Sequence, residues 1–204
     1  MHIGHVLPES ALDMRDFDPL NVSRVAERHL ATLTDARQRQ ILCNFIEHAR
    51  AEATGDYTAL MASCSRKRQS YTAWGTGGDY AARLPQSYPA LEEHYLGLIA
   101  MNLYLIHVDV EKLVVGQDTL MLEGIVHQLY PGELVEPIFG IAVDDPGRVY
   151  QLSKRSCIIF IFDEDGLGCG EHAYSNGPTT AENLCPVDPA LVPTAFWNNP
   201  VKAA

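Results

Sequence analysis

Residues 150–174 read YQLSKRSCIIFIFDEDGLGCGEHAY, and this stretch decides the fold. A run from Tyr150 to Phe162, rich in β-branched and aromatic side chains, stops at Asp163-Glu164-Asp165-Gly166, a strong turn sequence. A second extended run follows from Leu167 to Tyr174, so the two strands fold back on each other. Side chains alternate between the faces of a strand. One face therefore takes Tyr150, Leu152, Lys154, Ser156, Ile158, Phe160 and Phe162 from the first strand, with Cys169, Glu171 and Ala173 from the second. That face is apolar apart from a lysine, a serine and a glutamate.

Upstream, Leu103 to Val115 and Leu120 to Tyr130 predict another hairpin around Gly116-Gln117-Asp118. Before Leu103 the apolar period changes from 2 to 3.6. Val22, Val25, Ala26, His29, Leu30 and Leu33 share a helical face between Pro19 and Thr34. A longer helix, with Thr34 as N-cap and Asp35 in its first turn, presents Ile41, Leu42, Phe45, Ile46, Ala49 and Ala53, and Gly55 ends it. Asp56 opens a short third helix. Residues 69–74 predict a strand, Gly75, Gly77 and Gly78 a loop at a pocket lip, and Leu91, Tyr95, Leu98 and Ile99 a further helix. A long loop with Pro131, Pro137 and Pro146 separates the hairpins. Helices first and antiparallel strands afterwards imply an α+β fold with helices on one face of the sheet. Residues 1–34 read as an N-terminal arm, 35–176 as the domain and 177–204 as an irregular tail.

The chain has 204 residues and a formal charge of -11, which argues against nucleic acid or an anionic membrane as a partner. Its five cysteines are scattered with no Cys-x-x-Cys, as expected of reduced thiols in a cytoplasmic protein. No apolar run is long enough to span a membrane, and the first residues do not resemble a secretion signal. P-loop, Rossmann, Gly-x-Ser-x-Gly and His-Glu-x-x-His patterns are absent, and the sequence points to no cofactor and no metal.

The order of these elements resembles the nuclear-transport-factor-2-like (NTF2-like) superfamily, which includes ketosteroid isomerase, scytalone dehydratase and the SnoaL-like polyketide cyclases. The residues that carry the resemblance are Phe45-Ile46-Glu47-His48 running into Gly55-Asp56-Tyr57-Thr58-Ala59-Leu60, then Tyr71 to Trp74, the helix from Leu91 to Tyr95, and Gly116-Gln117-Asp118-Thr119-Leu120. Phe162 to Gly166 running into Glu171-His172-Ala173-Tyr174 completes it, over about residues 36–176. The resemblance implies a strongly curved antiparallel sheet packed on three helices around a cone-shaped pocket for a small-molecule ligand, and a homodimer. It also implies that steroid isomerisation is excluded. The isomerase's oxyanion tyrosine falls at His48, its second oxyanion donor at about Ile158 and its catalytic base at about Thr72.

The same register brings other polar groups toward the cone. His94, Lys154, His48 and Glu171 form a candidate acid–base set, with His107 beside Asp109 as a further candidate from the second strand. Tyr71, Trp74, Tyr104, Tyr130 and Tyr150 are candidate aromatic walls. Bland readings stand beside these. A one-residue slip turns Lys154 to solvent, a Lys–Glu pair across strands is an ordinary salt bridge, and His48 lies at the edge of its apolar stripe. His127, Glu123 and His172 fall on the opposite parity and are read as facing away. The activity implied is a cofactor-independent lyase or isomerase acting on a small apolar, aromatic or polycyclic molecule, with the arm closing the pocket mouth. The alternatives are a non-catalytic binding protein and a partner subunit like the β subunit of ring-hydroxylating dioxygenases.

Overall fold

A computed structural model describes residues 9–75 and 84–200. Gly77 and Gly78 of the expected lip loop and the first eight residues of the arm lie outside the described residues. The elements are α1 (Asn21–Leu30), α2 (Ala36–Thr54), α3 (Tyr57–Ala62), β1 (Ser70–Trp74), α4 (Tyr88–Ala100), β2 (Ile106–Val115), β3 (Thr119–Pro131), α5 (Gly132–Phe139), β4 (Val149–Phe162), β5 (Gly168–Ser175), β6 (Leu184–Pro186) and α6 (Thr194–Trp197).

Local chemistry sets the helix ends. The N-cap of α2 is Asp35, whose carboxylate accepts from the Gln38 N–H at 2.9 Å, so the cap sits one residue later than the Thr34 expected. Asp is as good a cap as Thr, and Gln38 falls at its N3 position. Gly55 ends α2 at φ +67°, and Asp56 immediately caps α3 by accepting from Ala59 N–H at 3.0 Å. Asp163 organises the β4–β5 turn, its Oδ1 accepting from the N–H groups of Asp165 and Leu167 at 2.9 and 3.0 Å. Arg37 near the start of α2 donates to carbonyls of both turns, at Gln117 and Asp163.

The strand order is β1-β5-β4-β3-β2, with β6 also on β4. The pairs are antiparallel except for β1, which runs parallel to β5, a departure from the all-antiparallel sheet expected. The curved, unclosed sheet carries α2, α3 and α4 on its concave side. Ile41, Leu42 and Phe45 of α2 pack against Val108, Leu120 and Leu122, while Leu60, Leu91 and Ile99 join a second cluster with Leu105 and Leu129. The expected proline-rich loop contains α5. Val135, fully buried with Leu103, Tyr130 and Tyr150, anchors that helix despite Pro137 inside it. Most of the tail is irregular, but β6 and α6 tie it to the sheet and to the core at Phe196.

Residues 9–18 of the arm strap the opposite face of the sheet and turn around the edge of β2, and beyond them Pro19 and Val22 reach the pocket between sheet and helices. The Gln151 side chain clamps Leu12, accepting from its N–H at 2.7 Å and donating to its carbonyl at 3.1 Å. Asn21 then caps the free edge of β2, accepting from Val108 N–H at 3.2 Å and donating to its carbonyl at 2.6 Å. Among the described residues no helix is long and apolar enough to cross a membrane.

Candidate functional site

Two cavities lie between the concave sheet and its helices. The inner one, about 120 Å³, is walled by apolar groups such as Phe45, Ala49, Leu122, Ile158 and Phe160, and none of its lining residues is exposed. The outer one, about 460 Å³, has aromatic walls in Tyr71, Tyr95 and Tyr130 and opens to solvent at Met101 and Ile138. Glu52, Ile106 and Glu171 belong to both walls. The junction between the cavities is therefore where the carboxyl groups sit.

A hydrogen-bonded chain supports the junction. On α2, His48 Nδ1 lies 2.8 Å from the Ser63 hydroxyl, and that hydroxyl donates to the Leu60 carbonyl at 2.6 Å. With its proton so used, Ser63 accepts from His48 Nδ1–H, which leaves the Nε2 lone pair facing inward. Nε2 lies 3.2 Å from the Tyr95 hydroxyl of α4 and 3.8 Å from Glu171 Oε1. Tyr95 donates to Glu171 Oε1 at 3.1 Å, and its oxygen lies 3.2 Å from the Tyr71 hydroxyl of β1. With Glu171 ionised, the Tyr95 proton points to the carboxylate. With Glu171 protonated, it is free to turn to His48 Nε2. The chain thus has two arrangements, set by one proton.

Burial dominates the electrostatics. It pushes Glu171 up from 4.5 to about 7, against the hydrogen bonds of Tyr95 and Tyr71, which favour the carboxylate. Glu52 is pushed to about 8, by burial first and then by the nearby Glu171 charge. The Glu52 carboxyl makes no hydrogen bond or ion pair with any described residue. Burial lowers His48 to about 4, so it stays neutral near pH 7. Cys64, whose Sγ is 3.9 Å from His48 Nδ1, is raised to about 12 by burial and remains a thiol rather than a nucleophile.

The structure brings together four of the expected residues: His48, Glu171, Tyr71 and, at the outer wall, His94. The His94 ring packs near Tyr71 and Tyr95, and burial lowers its pKa. Tyr104 lines the inner cavity and Tyr130 the outer one. Lys154 is not part of the site. It has the expected parity, but Glu171 pairs with Phe160, six residues farther along β4, which is about 20 Å of strand. The Lys154 ammonium instead donates to the Gly177 carbonyl. His107 lies on the opposite face, where its Nδ1 accepts from Asp18 N–H at 3.0 Å and its Nε2 meets Asp109 at 3.2 Å, a carboxylate it shares with buried His127. Trp74 and Tyr150 do not line either cavity. The Trp74 ring stacks on Tyr174 at 4.5 Å on the sheet's edge, and the Tyr150 hydroxyl donates to the Asp145 carbonyl at 3.2 Å. Among the described residues no group of three His, Cys, Asp or Glu is arranged to hold a metal ion.

Glu52 is the residue that sequence reasoning missed. It stands four positions after His48 and seven after Phe45, so all three share one face of α2.

An open curved sheet roofed by helices is the NTF2-like fold. Among solved structures the chain is similar to a candidate SnoaL-like polyketide cyclase from Shewanella putrefaciens, with a TM-score of 0.55 at 14% identity, covering 82% of this chain and 92% of that one. It is also similar to Rv0760c of Mycobacterium tuberculosis, with a TM-score of 0.49 at 12% identity over 72% of this chain and 96% of that one. A third is an NTF2-like protein from Anabaena variabilis, with a TM-score of 0.49 at 12% identity over 74% of this chain and 97% of that one. No family model and no curated protein matches the sequence. The likeness is one of fold.

Proposed function

We propose that the protein is a cofactor-independent acid–base enzyme, of the lyase or isomerase type, acting on a small neutral apolar molecule. The observation that carries this reading is the pair Glu52 and Glu171 at the junction of two apolar cavities, both holding protons far more tightly than ordinary carboxyls. The first proton leaves Glu171, because Tyr95 and Tyr71 stabilise its carboxylate. The resulting charge then keeps the Glu52 proton in place. One carboxylate and one carboxylic acid thus face the same space near pH 7, a base and an acid in one site.

In this scheme Glu171 takes a proton from carbon beside a carbonyl group, while Glu52 donates its proton to the carbonyl oxygen. The C–H electron pair becomes the enol double bond, and returning the proton to a different atom, or expelling a β-hydroxyl, gives isomer or dehydrated product. His48 acts through Tyr95, fixing the direction of that hydroxyl. The test is exchange of the α-protons of 2-acetonaphthone in deuterium oxide, followed by proton NMR. The native protein is expected to accelerate exchange, and Glu171→Gln to reduce that acceleration at least a hundredfold. No acceleration, or equal acceleration by the variant, overturns the reading.

A further inference from the structure

The two cavities differ in size and in the side chains that wall them, and that asymmetry bears on which molecule fits. The inner chamber is walled mainly by hydrocarbon, with Pro19 and Val22 of the arm contributing to its wall. An apolar cavity of about 150 Å³ holds a benzene ring, so the inner chamber's 120 Å³ suits roughly five carbon atoms. At 460 Å³ the outer chamber accepts a body of two or three fused rings, and the Tyr71, Tyr95 and Tyr130 rings offer it aromatic faces. Glu52 and Glu171 lie in both walls, and the Glu52 carboxyl makes no hydrogen bond or ion pair among the described residues. An oxygen placed there accepts the Glu52 proton, while a carboxylate there would meet the Glu171 charge.

We infer that the ligand is bipartite and neutral: a flat polycyclic or aromatic body in the outer chamber, a carbonyl oxygen at Glu52, and an unbranched or lightly branched apolar arm of about five carbons in the inner chamber. This rests on the acid–base reading only for the placement of the carbonyl. Size and order of the parts follow from the cavities. The arm begins at the carbon next to the carbonyl, so its first C–H bonds lie beside Glu171, the wall residue common to both chambers.

The test uses 2-naphthyl alkyl ketones with arms from methyl to octyl, their affinity for the native chain measured by calorimetry. Each methylene buried in the inner chamber is expected to tighten binding about fourfold, so that the pentyl ketone binds on the order of a hundredfold tighter than the methyl ketone. Binding then weakens beyond hexyl as the chamber is exceeded. Naphthalene-2-carboxylate is expected to bind at least tenfold more weakly than the methyl ketone. Ala49→Leu fills the inner chamber from α2 and Ile158→Phe fills it from the sheet. Either is expected to collapse the pentyl-to-methyl ratio below fivefold, with the thermal midpoint checking that the variant is folded. A ratio near one in the native chain, tightening that continues through octyl, a ratio unchanged in both variants, or equal binding of the carboxylate overturns the inference. Length-dependent binding without proton exchange sinks the catalytic reading alone, and exchange without length dependence sinks this inference alone.

Discussion

Replacing Glu52 by Gln should flatten the alkaline limb of the stability curve. Glu52 holds its proton up to about pH 8 in the folded chain, against 4.5 for the ordinary group. Because folding raises this pKa, the folded state binds the proton more tightly than the unfolded chain does. Its stabilising contribution is full below about 4.5, declines above that, and is gone once pH passes about 8. Between pH 6 and pH 9 the loss amounts to about 2 to 3 kcal/mol for one such carboxyl. That figure is an upper bound, because the side chain borders a cavity that admits water. Glutamine keeps the shape and cannot titrate, so the variant lacks this slope. Urea unfolding of native chain and variant, at half-unit steps from pH 6 to pH 9, reads the difference, and the slopes from cysteines and tyrosines cancel between the two. Parallel curves would refute the claim that Glu52 holds its proton well above the ordinary carboxyl range.

Three further outcomes follow from the same geometry. His48 is depressed to about 4 from 6.5, so its contribution is present above pH 6.5 and is lost as pH falls through about 4. In His48→Gln the steep acid loss between pH 6.5 and 4, about 3 kcal/mol in the native chain by urea unfolding, should be reduced. Gln151→Ala removes both clamps on Leu12 and should cost about 1–3 kcal/mol, with faster protease cleavage of the arm. Lys154→Met should leave the rate of proton exchange within twofold of the native chain, since Lys154 reaches Gly177 and not the junction. A tenfold drop would return Lys154 to the site.

Strand parity made Glu171 legible, because its alternation with Gly170 and His172 is local and the hairpin turn at Asp163 pins the register. Parity also placed Lys154 on the correct face, yet gave no depth: a face extends the length of β4, and the cavity occupies only the end near Phe160. The parallel pairing of β1 with β5 was not legible, since partner choice depends on contacts far apart in sequence. His107 illustrates a different limit. Its face is covered by the arm, so polar groups there are buried in a structural clasp, and burial alone did not mark the pocket. Glu52 escaped notice because a charged residue at the rim of an apolar helical stripe ordinarily faces water. Only the approach of β5 to α2 turns that rim into a cavity wall. Pro137 disguised α5 as a loop, although Leu134, Val135 and Ile138 kept helical spacing around it.

The central claim is that the two carboxyl groups at the junction give up their protons near and above neutral pH, Glu171 first and Glu52 second, far above the ordinary carboxyl range. Carbon-13 NMR titration of the side-chain carboxyls, with signals assigned by Glu52→Gln and Glu171→Gln, measures it without any ligand. Two resonances moving between pH 6 and pH 9, one in each variant's absence, are the expected result. If both carboxyls instead titrate near 4.5, burial does not shift them and the account of the site is wrong.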